Sequence, residues 1–325
     1  MNIKLVVQDN ETGKIFDISE IVDTISLTTQ MSDQAGKLTF NYQDDDNIKL
    51  HEGSPVYLKV DGVGMFYGTI FTRERTAKDS YSITAYDQMY YLKNKDTYVF
   101  PTMTASERFE KVCKDKQLKY RVDDKPSYKV PGAIMDNDTM YNMVQDGIDR
   151  TLINTGDWYI IRDDFGTLQF ASLNRLKTML FIGDESLLTD YNFKSTIEGD
   201  TYNQVKLIKE NKETKKREVY IVKDSNNIKK WGLLQYFEKM DEKANAAQIK
   251  ERANMILQLK NRVVKTLKLE CLGDTRVFAG VGIVLGISDL VKEGIPMNKY
   301  FMVTSCTHTF KNDYHTMSLE MAVSI

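Results

Sequence analysis

Two stretches near opposite ends of the chain have similar sequences, and each has the pattern of two alternating strands around a short polar turn. The first runs from Met65 to Ala85 and the second from Tyr300 to Leu319. Four aligned pairs carry the similarity: Phe66 with Phe301, Thr69 with Thr304, Thr72 with Thr307 and Ile83 with Met317. Apolar residues at every second position are typical of strands. The repeat predicts two similar β units, and chance similarity between two amphipathic hairpins is the alternative.

A glycine and an apolar strand precede each copy of the repeat. Gly53 is followed by the strand Val56–Val60, and Gly280 by the strand Ile283–Ile287. A β unit that occurs twice in one chain favours a structural duplication over a single catalytic cleft. Around the first copy, short strands separated by Gly, Asp and Asn turns predict a small barrel or sandwich over residues 1–97.

The period of the apolar residues then changes from two to that of a helix. Thr104 and Glu107 form a capping box, and a second helix is predicted to begin near Thr139 and to end at Gly156. A hairpin follows, with strands at Trp158–Ile161 and Thr167–Phe170. Residues 98–175 are therefore predicted to form a small α+β domain.

The rest of the chain returns to strands around one long helix. Strands are predicted at Val205–Ile208 and Val219–Val222, a helix from about Asp241 to Asn261, and β structure from Val264 to Ile325. The predicted fold class is mainly β with an α+β insert.

Composition excludes several classes of protein. The chain has 325 residues, 28% of them charged, and a formal net charge of −2. That charge argues against nucleic-acid binding through a basic face, and the basic run Lys212 to Arg217 is interpreted as a solvated turn. Three widely spaced cysteines indicate a reduced, cytosolic chain. No signal peptide or long apolar run is present, so we expect synthesis in the cytoplasm and no membrane span.

Two motifs resemble catalytic or metal sites. Asp164-Phe165-Gly166 matches a kinase tripeptide, but the other kinase motifs are absent, and a hairpin turn is the better interpretation. His308, His315 and Cys306 are close enough in sequence to share a metal, whereas His315 begins an otherwise apolar face. We therefore predict a structural histidine and no metal.

Carboxylate runs fall in predicted turns, where they are solvated and ionised. General acid catalysis needs a desolvated carboxyl group, so we predict no catalytic residue and no cofactor. The acidic loop Asp44, Asp45 and Asp46 is the one candidate for a contact with a partner, and a solvated turn is the alternative.

Several ordered segments resemble the XkdQ/YqbQ-like family of Gram-positive prophages, a branch of the late control gene D proteins and of the baseplate hubs of contractile phage tails and tailocins. The segments that carry the resemblance are Tyr86–Gln88, Tyr91–Tyr98, Ile182–Tyr191, Thr201–Leu207, Arg217–Ser225 and Lys230–Gly232. No catalytic residues belong to this pattern.

The resemblance implies two tube-type barrels in each chain and a homotrimer whose six barrels adapt a sixfold tail tube to a threefold spike. By analogy, residues 176–210 and 263–325 would form the second barrel, with residues 211–262 accessory to the middle domain. The implied partners are the tail tube protein, the central spike protein, baseplate wedge or LysM-type adaptor proteins and the tape measure protein. The implied location is the baseplate of a virion or tail-like particle.

Two other functions are compatible with the sequence. A hub with peptidoglycan hydrolase activity would carry an extra catalytic domain, and the chain ends directly on its last predicted strand. A wall- or carbohydrate-binding β protein would expose a row of aromatic side chains, for which the 18 tyrosines provide material.

Overall fold

The structure, a computed structural model, describes residues 1–31, 34–45, 47–76, 79–211, 216–240 and 245–323. About 50% of the residues lie in strands and 20% in helices, which confirms the mainly-β class. The chain divides into two compact units. The first comprises Met1–Asn192 and Lys268–Ala322, and the second comprises mainly Phe193–Leu267.

The N-terminal part of the first unit is a curved antiparallel sheet whose apolar residues alternate inward. Its strands are β1 (Ile3–Gln8), β2 (Ile15–Asp17), β3 (Val22–Gln30), β4 (Lys37–Gln43), β5 (Pro55–Val60), β6 (Val63–Thr76) and β7 (Ser80–Tyr86). Their order in the sheet is β3-β4-β7-β6-β5-β1-β2. Inward-facing side chains such as Leu5, Phe40 and Ile83 are fully buried in one core.

A small α+β segment follows, and it packs on its own core. Its elements are β8 (Lys95–Phe100), α1 (Ala105–Asp115), β9 (Tyr120–Val122), β10 (Ala133–Thr139), α2 (Met140–Thr155), β11 (Tyr159–Asp163) and β12 (Leu168–Ser172). The predicted caps are confirmed: Thr104 and Glu107 form the capping box of α1, and Gly156 ends α2 at φ +77°. Phe109, Val144 and Phe170 are buried together in this core.

A second β region continues the sheet of the first. Its strands are β13 (Lys177–Gly183), β14 (Leu188–Thr196), β18 (Val264–Leu272), β19 (Gly282–Gly286), β20 (Lys299–Lys311) and β21 (Tyr314–Ala322). β20 pairs with β3 in antiparallel register from Ser305↔Gln30 to Lys311↔Thr24. One 13-stranded sheet therefore contains both β regions, in the order β14-β18-β21-β20-β3-β4-β7-β6-β5-β1-β2, with β13-β19 attached to β20.

The two barrels predicted from the sequence are not seen as closed barrels. No closed barrel is detected in the described residues, because β3 and β20 use their facing edges to pair with each other. The presence of two tube-type barrels related by duplication stays a prediction.

The second unit has a three-stranded sheet covered by one helix. Its elements are β15 (Gln204–Asn211), β16 (Lys216–Lys223), α3 (Ser225–Trp231), β17 (Gln235–Lys239) and α4 (Ala246–Lys260). Val205 and Leu207 of β15 pack on Ile249 and Ala253 of α4. This packing places β15 and α4 in one core. The domain border expected between residues 210 and 211 would instead assign β15 to the second barrel and α4 to the accessory segment. The expected start of the helix at Asp241 lies outside the described residues.

A β-bulge shows which positions of the two repeated hairpins correspond. The pairing of β6 with β7 shifts between Ile70 and Thr72, and that of β20 with β21 shifts between Val303 and Ser305. Ile70 is thus the counterpart of Val303. When the two bulges are superposed, the sequence alignment of Phe66 with Phe301 is wrong by two residues. The reason is that the second hairpin has seven residue pairs beyond its bulge and the first has five.

Candidate functional site

A cavity of about 300 Å³ lies inside the first unit, where several segments meet. They include the end of β3, the start of β6, the turn between β11 and β12, and the loop from Thr275 to Ala279. The polar side chains of Asp87, Arg162, Asp163 and His308 reach its wall. Of these four residues only His308 could be predicted as a candidate from the sequence, because the other three carry no spacing signal.

Asp87 is a buried carboxylate that locks two backbone segments together. Its Oδ2 accepts from the amide of Gly36 at 2.8 Å, and its Oδ1 accepts from the amide of Met89 at 2.9 Å. The side chain caps the 3-10 turn that follows it. Burial raises the pKa of Asp87 well above 3.8, and the negative charge of Asp163 raises it further.

Asp163 is the second carboxylate on the cavity wall. Its Oδ1 accepts from the amide of Gly166 at 2.7 Å, and no described residue lies in hydrogen-bonding geometry to its buried Oδ2. Burial raises the pKa of Asp163 to about 6. Since the charge of each carboxylate disfavours ionisation of the other, the pair retains a proton more readily than isolated aspartates do.

Arg162 places a guanidinium on the same wall. Its Nη2 donates to Asp164 at 2.8 Å, and its Cζ lies 3.6 Å from the centre of the Phe278 ring. Burial lowers the pKa of Arg162, although the guanidinium keeps its charge at neutral pH. This stacked cation connects the β11–β12 hairpin with the loop before β19, so it fixes the relative position of two sides of the cavity.

His308 anchors that loop from the other side. Its Nε2 lies 2.7 Å from the carbonyl oxygen of Val277, and its Nδ1 lies 2.9 Å from Nε2 of His315. A carbonyl only accepts, so the proton is on Nε2 of His308, and Nδ1 accepts from His315. Burial lowers the pKa of His308 to about 4 and also lowers the pKa of His315. Both rings are therefore neutral at pH 7.

The arrangement leaves no open ligand position on His308, because both of its ring nitrogens are engaged. The Cys306 thiol lies 3.3 Å from Nε2, and burial raises the pKa of this thiol above its usual range. Among the described residues, no three His, Cys, Asp or Glu side chains are grouped as a metal-ligand set. The cluster holds backbone segments in place.

Of the other sequence candidates, Asp164 and Phe165 also line this cavity, whereas Asp44 and Asp45 do not. Phe165 and Gly166 both have positive φ between the paired strands β11 and β12, which confirms the hairpin turn. Asp44 and Asp45 are exposed, and Asp44 forms an ion pair with Arg75 at 3.0 Å. Asp46 lies outside the described residues, and a partner contact at this loop stays a prediction.

A family model described as YQBQ-like matches residues 25–322. The chain belongs to the YQBQ-like family. Two Bacillus subtilis (strain 168) proteins are similar to it. The uncharacterized protein YqbQ is 29% identical over 83% of this chain and 81% of its own length, and the phage-like element PBSX protein XkdQ is 27% identical over 86% and 84%.

A solved structure has the same fold. It is the 43 kDa tail protein of prophage MuSo2 from Shewanella oneidensis, with a TM-score of 0.68 and 11% identity over 99% of this chain and 98% of that one. The match of the YQBQ-like family model to residues 25–322 confirms the resemblance seen in the sequence. Among the described helices, none is long and apolar enough to cross a membrane.

Proposed function

We propose that this protein is a non-enzymatic structural component of the tail of a phage or phage-tail-like particle, and that it acts as the baseplate hub. The observation that carries the proposal is the pairing of β3 with β20, which joins two β regions of similar topology side by side in one sheet. A rigid lateral array of strands provides an extended surface for assembly. The names of the phage-like relative XkdQ and of the MuSo2 tail protein support the same role.

In the proposed assembly, three copies form a ring of six β regions. Such a ring presents near-sixfold symmetry on the side of the tail tube and keeps threefold symmetry on the side of the spike. The proposed partners are therefore the tube protein, the spike, wedge or LysM-type adaptor proteins and the tape measure protein. The protein would be made in the bacterial host cytoplasm and incorporated into the baseplate.

The side chains around the cavity support a structural role. Asp87, Arg162 and His308 each bind backbone or a neighbouring side chain of another segment, so the polar groups hold the β regions and the hairpin together. A cell-wall zymogram with the purified chain should show no clearing. Clearing that a single Asp or Glu substitution abolishes would contradict the non-enzymatic role.

Deletion of the gene from an inducible prophage tests the tail role itself. We expect induced cells to release no complete tails, and expression of the full chain in trans should restore them. Asp87→Lys places a cation at a buried position, so we expect it to destabilise the fold and not to restore tails. Release of complete tails from the deletion strain would contradict the proposal.

A further inference from the structure

The three-stranded sheet of the second unit has one covered face and one exposed face. Val205 and Leu207 of β15 point to the face that α4 covers. Side chains alternate along a strand, so Val219, Ile221 and Phe237 lie on the other face, which we call the outer face. These three side chains are 49%, 51% and 55% exposed. A sheet face that contacts only water is usually polar, so the outer face has the composition of a surface that is covered.

The strand register brings the apolar residues of the outer face together. Val219 of β16 lies beside Ile208 of the central strand β15, and Ile208 is buried. Ile221 of β16 and Phe237 of β17 lie on either side of Lys206. The apolar surface therefore crosses all three strands and is interrupted only by the side chain of Lys206.

The unpaired charges of the outer face are positive. At one end of the face, Arg217 and Lys239 both form ion pairs with Glu210. Lys206 is half-buried and Lys223 is exposed. Among the described residues, no carboxylate forms an ion pair with either of these two lysines. A binding partner that supplies carboxylates would give both ammonium groups their missing partners.

The second unit as a whole carries the opposite charge to the rest of the chain. Residues 193–267 contain 17 Lys and Arg against 10 Asp and Glu, a net charge of +7. The rest of the chain contains 27 Lys and Arg against 36 Asp and Glu, a net charge of −9. This local positive charge attracts an acidic partner. Valine and isoleucine offer no stacking surface for bases, so the apolar centre of the face favours an acidic protein over a nucleic acid.

The size of the outer face matches a single helix. Three strands spaced about 4.8 Å apart form a face roughly 10–14 Å wide, and a helix with its side chains is about 10–12 Å in diameter. The inner face shows the same fit, because it packs on Ile249 and Ala253 of the one helix α4.

We propose that the outer face of β15, β16 and β17 binds one amphipathic helix of another tail protein. The apolar side of that helix packs on Val219, Ile221 and Phe237, and its flanking Asp or Glu residues pair with Lys206 and Lys223. The inference rests on the proposed tail role and gives the chemistry of one partner. Apolar contact supplies the buried area, and the pairing of Lys206 with a carboxylate selects an acidic helix over a basic one.

Photo-cross-linking in assembled tails identifies the occupant of the outer face. The full chain carries p-benzoylphenylalanine in place of Phe237, or of Val219 in a second preparation, and is expressed in the prophage deletion strain. Purified tails are irradiated and digested, and the cross-linked peptides are sequenced by mass spectrometry. We expect a peptide of a different tail protein, with apolar residues at helical spacing flanked by Asp or Glu. A cross-link only to a second copy of this chain, a peptide without that pattern, or no cross-link in complete tails would overturn the proposal.

Charge reversal tests the same contact by function. Lys206→Glu and Ile221→Glu, each checked for unchanged denaturant unfolding, are expressed in the deletion strain. We expect each to lower the yield of complete tails at least about tenfold, because like charges or a buried carboxylate would then meet the acidic helix. Lys250→Glu is the matched control, since it makes the same charge change at an exposed position on α4 and should leave the yield near that of the wild type.

A compensating change in the partner separates docking from a structural role of Lys206. Replacing the cross-linked carboxylate of the partner by Lys should restore the yield of tails with Lys206→Glu. Absence of this rescue, or a normal yield with both Lys206→Glu and Ile221→Glu, would overturn the docking contact and leave the tail role standing. Release of complete tails without this chain would overturn both.

Discussion

The backbone amide of Gly280 donates to the carbonyl oxygen of Val303 over 2.8 Å, just before the bulge of β20. The amide of Gly53 makes the same bond, also 2.8 Å long, to Ile70 just before the bulge of β6. Both glycines have positive φ, +93° and +85°. The two β regions thus share a local device in which a glycine turn brings the chain back onto the long strand.

Substitution of Gly280 tests the importance of this device. A Cβ at Gly280 would lie 2.3 Å from Cδ1 of Ile160, and a φ of +93° is unfavourable for any L side chain. We expect Gly280→Ala to lower the free energy of unfolding by about 1–3 kcal/mol. Gly13→Ala is the control, because Gly13 also has positive φ but open space around it. Denaturant unfolding of both variants measures the difference, and an equal loss would contradict the steric part of the account.

The buried ion pair of the α+β segment gives an asymmetric prediction. Arg108 is fully buried, and its Nη1 lies 2.9 Å from Asp146, whereas Arg150 binds the same carboxylate from a half-exposed position. Asp146→Ala leaves a buried guanidinium without its carboxylate, so we expect a loss of about 3 kcal/mol in unfolding free energy. Arg150→Ala should cost less than about 1 kcal/mol. Similar losses for the two variants would show that Asp146 is not the main partner of Arg108.

The raised pKa of Asp163 predicts how stability depends on pH. The folded protein holds this proton up to about pH 6, whereas an unfolded aspartate loses it near pH 4. The contribution of Asp163 to stability is therefore present in acid and decreases as the pH rises from about 4 to about 6. Asp163→Asn should remove this decrease and raise the unfolding free energy at pH 7 by about 1–2 kcal/mol. Thermal unfolding of the wild type and the variant from pH 4 to 7.5 measures this difference in stability. An unchanged pH profile in the variant would contradict the assignment.

The lowered pKa of His308 has the opposite consequence. The folded ring stays neutral down to about pH 4, while an unfolded histidine is protonated near pH 6.5. The contribution of His308 is therefore present above about pH 6.5 and is lost as the pH falls towards about 4. His308→Gln should be less stable than the wild type at pH 7, and the difference should shrink in acid. A difference that stays constant from pH 7.5 to 4.5 would contradict a neutral buried ring.

Local structure could be predicted from the sequence where a few adjacent residues determine it. The capping box of Thr104, the glycine cap at Gly156 and the turn at Phe165 and Gly166 all depend on short-range chemistry. Apolar residues along β21 also alternate in step with its buried positions. These features follow from side chains and backbone conformations within four or five residues.

Long-range features could not be predicted in the same way. Asp87 and Asp163 are 76 residues apart and meet only through the packing of the hairpin on the first sheet. The pairing of β3 with β20 is invisible because any two strands with alternating residues can pair. The alignment of Phe66 with Phe301 is off by two residues because it matches residue types. The position of the bulge depends instead on hairpin length, which differs between the two copies. The pairing register of strands that lie far apart in the chain therefore cannot be predicted from the sequence alone.

High-resolution electron microscopy of the assembled tail tests the central claim most directly. We expect three copies of this chain in one ring around the tail axis. Each copy should contribute its two β regions to that ring. Six copies, or three copies whose β regions do not lie in a common ring, would contradict it.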